Sequence, residues 1–356
     1  MNILRLNKVR NNMREEGLSQ ILVTGSASVY YLTSVWCNPH ERMLALYIDL
    51  DGRCALFGNK MFGITVLDGA DLYAHSDGED PVSTLAAYVK AGQLGIDKTW
   101  PSLFLISLME KRPDLMPVLG SRPVDAARMR KDAQEIETMR NASSINDMVM
   151  ESVIEALCDG VTESELAALT NGLFREHGSD GESEQLACFG ANAADPHHGP
   201  GDTVIRPGDC AVFDIFSSIG RYWCDMTRTV FFKSADREQE TVYELVRKAN
   251  ESAEKMIKPG VPLREIDRTA RSVIEQGGYG QYFTHRLGHG IGVECHEPPD
   301  VNEASTVMAE PGMTFSVEPG IYLPGKVGVR IEDLVLVTED GCEVLNRVDK
   351  NLTICK

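Results

Sequence analysis

Two regimes of apolar spacing divide the chain. Up to about residue 122, helical and strand patterns alternate: Leu6, Val9 and Met13 recur at helical spacing, and "QILVTG" reads as a short buried strand. "MLALYIDLDGRCALFG" sets Asp51-Gly52 between two apolar runs, which predicts a hairpin. Pro123, in "GSRPVDAARMRKDAQEIETMR", ends the alternation, and a long helical period follows through Ile136, Met139, Ile145, Val149, Val153 and Leu157. The expected division is 1–122 and 123–356, two domains each with its own core.

Beyond residue 123 the pattern repeats itself. "DGVTESELAALTNGLFREHG" (159–178) carries Thr162 and Glu165 in capping-box spacing, and "PGVPLREIDRTARSVIEQGG" (259–278) returns the same apolar spacing one hundred positions later. "RPGDCAVFD" (206–214) is echoed by "EPGMTFSVE" (310–318), a Pro-Gly turn leading into a strand that ends in a carboxylate. Two echoes in the same order predict a duplicated unit of two helices followed by strands that present acids.

Those acids interrupt apolar strands. In "MTFSVEPGIYLPGKVGVRIEDLVLV", Glu318 and Glu332 are symmetric about Gly325, and a regular two-stranded hairpin would set them face to face. Asp214 and Asp225 are likewise symmetric about Ile219-Gly220. Like charges facing across a hairpin are destabilising. Asp214 shares its strand face with Val212 and Phe216, and Glu332 with Leu334 and Leu336, so a solvated acidic face does not account for them. Buried carboxylates must be neutralised by protons or cations, and four of them together call for two divalent metals.

Composition narrows the alternatives. Hydrophobic content of 43% and charged content of 25% are ordinary for a globular chain, and no apolar run approaches the roughly 18 residues of a membrane helix. The charged N-terminus lacks the pattern of a secretory signal, so a cytoplasmic location is expected. A net charge of -18 without any basic cluster excludes nucleic acid and leaves a small or cationic partner. The nine cysteines are scattered, with no CxxC, which speaks against a disulfide framework or zinc-thiolate site; most read as small buried apolar residues. Of the eight histidines, His285, His289 and His296 cluster in the glycine-rich "YFTHRLGHGIGVECHEPP", and His197 and His198 occupy the Pro/Gly loop "ADPHHGPGD".

The segments "PHHGPGD", "FDIFSSIGRYWCDMTRTVF", "HRLGHGIGVECHE" and "SVEPGIYLPGKVGVRIED" resemble the pita-bread metallopeptidases, the family of prolidase (Xaa-Pro dipeptidase), aminopeptidase P and methionine aminopeptidase. The resemblance covers roughly 125–356; the amino-terminal part is similar, less specifically, to the creatinase-type domain of the proline-directed members. It implies an α+β chain, a creatinase-like α/β domain before a pseudo-twofold pita-bread domain. It further implies that Asp214, Asp225, His289, Glu318 and Glu332 bind two divalent ions, with all five present, unlike the metal-free creatinase branch. A carboxylate-rich set without thiolate points to manganese, with cobalt, iron or zinc able to substitute.

The resemblance gives His197 and His296 substrate-side roles, Glu318 a proton-accepting role, and His285 a supporting one. His198 is an orienting neighbour of His197. Arg330, on the strand face of Glu332, is placed to steady the carboxylates or meet a substrate carboxylate, and a cross-strand ion pair is the plainer reading. Tyr222, Trp223 and Tyr322 are read as packing residues. By resemblance, the substrates are small proline-containing peptides and the assembly is a homodimer whose amino domain reaches over a neighbouring site. His40 and Arg42, in "VWCNPHERMLA", are the candidate reach, although the segment lacks the glycines expected there and solvated loop charge is the preferred reading. Prolidase activity is preferred; aminopeptidase P-like activity, or a non-peptidase metal-dependent reaction on the same scaffold, is the alternative.

Overall fold

The computed structural model describes residues 1–181 and 185–356. The chain separates into two compact units, Met1–Arg128 and Met129–Lys356.

In the first unit, helix α1 (Ile3–Glu15) buries Leu6, Val9 and Met13, the stripe its spacing predicts. Strands β1 (Gln20–Val23), β2 (Ala45–Asp49), β3 (Cys54–Asn59), β4 (Asp71–His75), β5 (Gly92–Ile96) and β6 (Leu115–Leu119) form one sheet in the order β4-β3-β2-β1-β5-β6. The expected β2–β3 hairpin is present, and the Asp49 carboxylate accepts from the amides of Asp51 (3.1 Å) and Arg53 (2.8 Å) within its turn. Successive strand residues face opposite sides. Ile21, Leu46, Ile48 and Leu56 join the core under α1, helix α2 (Ser26–Thr33) and helix α5 (Arg122–Met129). Leu22, Tyr47, Ala55 and Phe57 join the core under α3 (Pro81–Tyr88) and α4 (Ser102–Lys111).

The second unit carries the repeat as two helix pairs: α6 (Ala133–Glu155) with α7 (Glu163–Glu176), and α8 (Arg237–Met256) with α9 (Leu263–Gln276). Capping boxes start three of the four: Asp132 with Glu135, Thr162 with Glu165, and Asp236 with Gln239. Helix α9 lacks one, and its buried face of Leu263, Ile266, Ala270 and Ile274 holds it instead. Each large apolar side chain so buried stabilises by about 1.5–3 kcal/mol.

Strands β7 (Leu186–Phe189), β8 (Cys210–Ile219) and β9 (Tyr222–Phe232) belong to the first half. Then follow β10 (Gly288–Gly290), β11 (Glu297–Val301), β12 (Thr314–Val317), β13 (Gly320–Leu323), β14 (Val327–Arg330), β15 (Asp333–Val337), β16 (Cys342–Val344) and β17 (Ile354–Cys355). They assemble as β17-β9-β8-β7, β11-β10-β12-β15-β16 and the ribbon β13-β14. This is a mixed α/β chain, with a pseudo-duplicated second unit like that of the pita-bread proteins.

Two hairpin expectations change. The β8–β9 turn is centred on Gly220 and Arg221 (φ 60° and 66°), the left-handed pair of a tight two-residue turn, and not on Ile219-Gly220. Asp214 therefore pairs with Thr227, and Asp225 with Phe216. The two aspartates are diagonal neighbours on one face, where they were expected to be opposed. The 313–337 segment is four strands, not two. Val317 pairs with Asp333 and Gly320 with Arg330, so the register about Gly325 holds, but the ladder opens between them. Pro319 has no amide hydrogen to continue it.

Candidate metal centre

Strand β9 positions Asp225 and β8 positions Asp214; the two breaks in the 313–337 ladder release Glu318 and Glu332 from sheet pairing toward them. His289 lies at the middle of β10, where the pairing with β11 shifts at a bulge after His289. Its flanking glycines are required by close approach: a Cβ on Gly288 would lie 1.9 Å from Ser316 O, and one on Gly290 would lie 2.5 Å from Glu297 O. The glycines of "GHG" thus admit neighbouring backbone, and this seats the imidazole.

Asp225, His289 and Glu332 are buried, and each offers a ligand atom within 4.8 Å of the others. His289 Nε2 lies 3.4 Å from Glu318 Oε1 and 3.8 Å from Asp225 Oδ2. Its Nδ1 faces Gly290 O at 3.2 Å, which places the ring hydrogen there and leaves Nε2 with its lone pair toward the acids. Burial, then His296, lowers the His289 pKa to about 3, so the ring is neutral. The side chains of Asp214 and Glu318 are each 16% exposed, so the cluster opens to solvent on their side.

Burial, then the charge of Asp214, pushes the Asp225 carboxyl well above the usual range. Burial, then the charge of Asp225, does the same to Glu332. Glu318 rises to about 7, chiefly by burial. Three buried oxygens, Asp214 Oδ1, Asp225 Oδ1 and Glu332 Oε1, have no hydrogen-bond partner among the described residues. A neutral imidazole lone pair and three orphaned carboxylate oxygens lie in one cluster, a donor set that suits dications.

Arg330 crosses between the halves. Nη2 donates to Asp214 Oδ2 (2.7 Å), Nη1 to Tyr322 Oη (2.9 Å) and Nε to Thr227 Oγ1 (3.0 Å). Both sequence readings of Arg330 thereby merge: its ion pair is what steadies a carboxylate. The Thr227 hydroxyl passes its own hydrogen to Glu332 Oε2 at 2.8 Å. His285 Nε2 meets Tyr322 Oη at 2.9 Å, and burial, then Arg330, lowers its pKa to about 4. The Ser316 hydroxyl accepts from the His289 amide and donates to Glu318 Oε1, each at 3.0 Å.

His296 is exposed, with its ring edge-on to His289 and centroids 4.1 Å apart. His197 lies on an exposed loop. The His198 ring is turned to Glu163, at 3.5 Å, and is committed there rather than to His197. In the first unit, Arg42 is engaged by Asp77 through two bonds (2.9 and 2.8 Å) and by Glu41, an ion-pair cluster of loop charges rather than an open carboxylate receptor. His40 has a left-handed backbone (φ 49°) and offers only an amide contact to Asn38.

Sequence reasoning missed Thr227, Ser316, Tyr322 and Cys295. Tyr322, read as packing, links Arg330 to His285. Cys295, read as an apolar filler, directs its thiol at Asp225 Oδ2 over 3.5 Å. The one available signal was position: Cys295 adjoins His296, and Thr227 is two residues from Asp225 on the same strand face.

Residues 137–339 match the model of metallopeptidase family M24, and residues 5–130 match that of the creatinase/prolidase N-terminal domain. An uncharacterized peptidase of Staphylococcus aureus is 34% identical over 354 residues, covering 97% of this chain and 99% of its own. A crystal structure of a dipeptidase from Pyrococcus horikoshii superposes with TM-score 0.93 at 34% identity, covering 99% of this chain and 100% of that one. A prolidase from Thermococcus sibiricus superposes at 0.90 with 33% identity, over 99% and 98% of the two chains.

Proposed function

Since the chain belongs to metallopeptidase family M24, we propose that it is a dinuclear-metal Xaa-Pro dipeptidase, a prolidase acting on small proline-containing dipeptides. The observation that carries this reading is the buried cluster of acids around His289, with its three orphaned carboxylate oxygens. The prolidase and dipeptidase names of full-length structural relatives support the substrate class.

Asp214, Asp225, His289, Glu318 and Glu332 would hold the two cations, with manganese preferred by this hard, oxygen-rich set. Bound there, such a pair lowers the pKa of a water and polarises the scissile carbonyl. The protein's own residues do the rest. Glu318, whose side chain is partly open to solvent, would accept the proton of the attacking water and return it to the leaving proline nitrogen. His296 and His197 line the open side and bind the substrate's carbonyl and terminal groups. Arg330 holds Asp214, and Thr227 holds Glu332, so that their free oxygens stay aimed inward. We further propose a cytoplasmic homodimer; no described helix is long and apolar enough to cross a membrane.

Side-by-side assays of Ala-Pro, Gly-Pro and Ala-Pro-Ala, with and without manganese, test the proposal. Manganese-dependent cleavage of the dipeptides alone is expected. Cleavage of the tripeptide would move the chain to the aminopeptidase P class, and inertness toward all three with metal bound would reject a proline-directed peptidase.

A further inference from the structure

The proposed metal centre leaves one side chain at its edge without a task. Cys188, Cys210, Cys224 and Cys342 give their S–H groups to backbone carbonyls. Cys295 gives its own to a carboxylate, Asp225 Oδ2, at 3.5 Å. Burial, then the charges of Asp225 and Glu332, pushes the Cys295 thiol well above its ordinary range, and Asp214, Asp225 and Glu332 carry the three orphaned oxygens. Asp225 and Glu332 are 5% and 2% exposed, so those oxygens face the pocket and not bulk water.

The separation is that of two donors on one ion. With oxygen at about 2.1 Å and sulfur at about 2.3 Å from a metal, the donors stand roughly 3.1 Å apart at a right angle and roughly 3.6 Å apart at a tetrahedral one. Asp225 Oδ2 and Cys295 Sγ fall between these values without any movement of the chain.

We propose that Cys295 is a conditional metal ligand. A soft dication such as cobalt, zinc or cadmium, seated against Asp214, Asp225 and Glu332, takes Sγ as a further donor, and the thiol proton leaves to solvent. A hard dication such as manganese is held by the oxygens, and the thiol stays protonated against Asp225. The site therefore sorts ions by softness, and thiophilic metals displace manganese from it. This inference rests on the metal-centre reading above.

The test uses cobalt(II) as a spectroscopic probe on the metal-free full chain, its Cys295→Ser variant and a Cys158→Ser control that removes an exposed thiol. Bound cobalt is measured in parallel by elemental analysis after dialysis, and circular dichroism confirms that each variant is folded. A near-ultraviolet thiolate-to-cobalt charge-transfer band is expected in the parent and in Cys158→Ser, and lost in Cys295→Ser while cobalt remains bound. Cadmium should also compete with manganese about tenfold or more less effectively in Cys295→Ser, at least the scale on which groups around a metal act. Cobalt bound to the parent without the band, or a band that survives in Cys295→Ser, overturns the thiol's role alone. A folded parent that retains no cobalt overturns both this inference and the metal-centre reading.

Discussion

Arg330 and Asp214 form an ion pair of 2.7 Å between the two halves of the duplicated unit, with side chains only 6% and 16% exposed. The pair occupies one Asp214 oxygen and leaves the other without a partner. Arg330→Met would strand Asp214, Tyr322 and Thr227 without their donor, and removing one member of a buried pair costs about 3–5 kcal/mol. Arg330→Lys keeps the charge but cannot reach three acceptors from one fork, so a smaller stability loss is expected, with manganese affinity reduced roughly 10–100-fold. Denaturant unfolding and calorimetric titration measure the two effects. Parental manganese affinity in Arg330→Lys would refute the steadying role.

Asp225 should show activity and metal-free stability moving in opposite directions. Its ionised form is disfavoured by burial and by the charge of Asp214, so Asp225→Asn removes a cost that the metal-free fold bears at every pH above the ordinary carboxylate range. The metal-free variant is expected to unfold about 1 kcal/mol or more later than the parent, about one pKa unit's worth. Its turnover with manganese should fall by more than the roughly 10–100-fold seen for groups that only support a ligand. His289→Ala should lose turnover likewise with the fold retained. Full activity in either purified variant would sink the ligand assignment.

The same cluster sets a pH dependence that metal loading offsets. Glu318 is raised from 4.5 to about 7, so between those values the folded, metal-free chain holds a proton that the unfolded chain has released. Stability of the metal-free protein therefore falls as pH rises through that window, by up to roughly 1.4 kcal/mol per pH unit for such a group. Manganese takes the place of protons, so its stabilising effect must grow across the same range. Thermal melts with and without manganese at several pH values test this. A manganese-induced shift that does not vary with pH would contradict it.

The repeat and the four acids stood out because they recur in both halves: α7 and α9 begin at Glu163 and Leu263, one hundred residues apart; His289 was singled out by the family resemblance. The register of β8 and β9 was not legible, because two adjacent turn centres in "SSIGRY" differ only in whether Arg221 adopts a left-handed backbone, which its residue type does not announce. Thr227, Ser316 and Tyr322 escaped notice for another reason. Each is an ordinary strand residue whose role arises from a partner far along the chain, as Thr227 meets Glu332. The duplication also conceals an asymmetry. The loop ahead of β8 is tied to Glu163, whereas the approach to β10 is tied to Asp267, which accepts from the Leu287 amide at 3.0 Å.

Glu163 is the outermost support of the proposed substrate side. It is fully buried at the start of α7 and spans the two ends of the loop bearing His197. Oε1 accepts from the Phe189 amide (2.7 Å) and Asn192 Nδ2 (3.0 Å), and Oε2 accepts from the Gly201 amide (3.1 Å). In Glu163→Gln one of these oxygens becomes an NH2 group facing an amide hydrogen, leaving a buried donor unsatisfied at about 1–3 kcal/mol. Since the loop carries His197 and no metal ligand, manganese stoichiometry should stay at the parental value. The KM for Ala-Pro should rise several-fold, because the loop no longer presents His197 in one place. Equilibrium dialysis and steady-state kinetics on the same preparation decide the matter. A parental KM alongside the expected loss of stability would make Glu163 a purely structural residue.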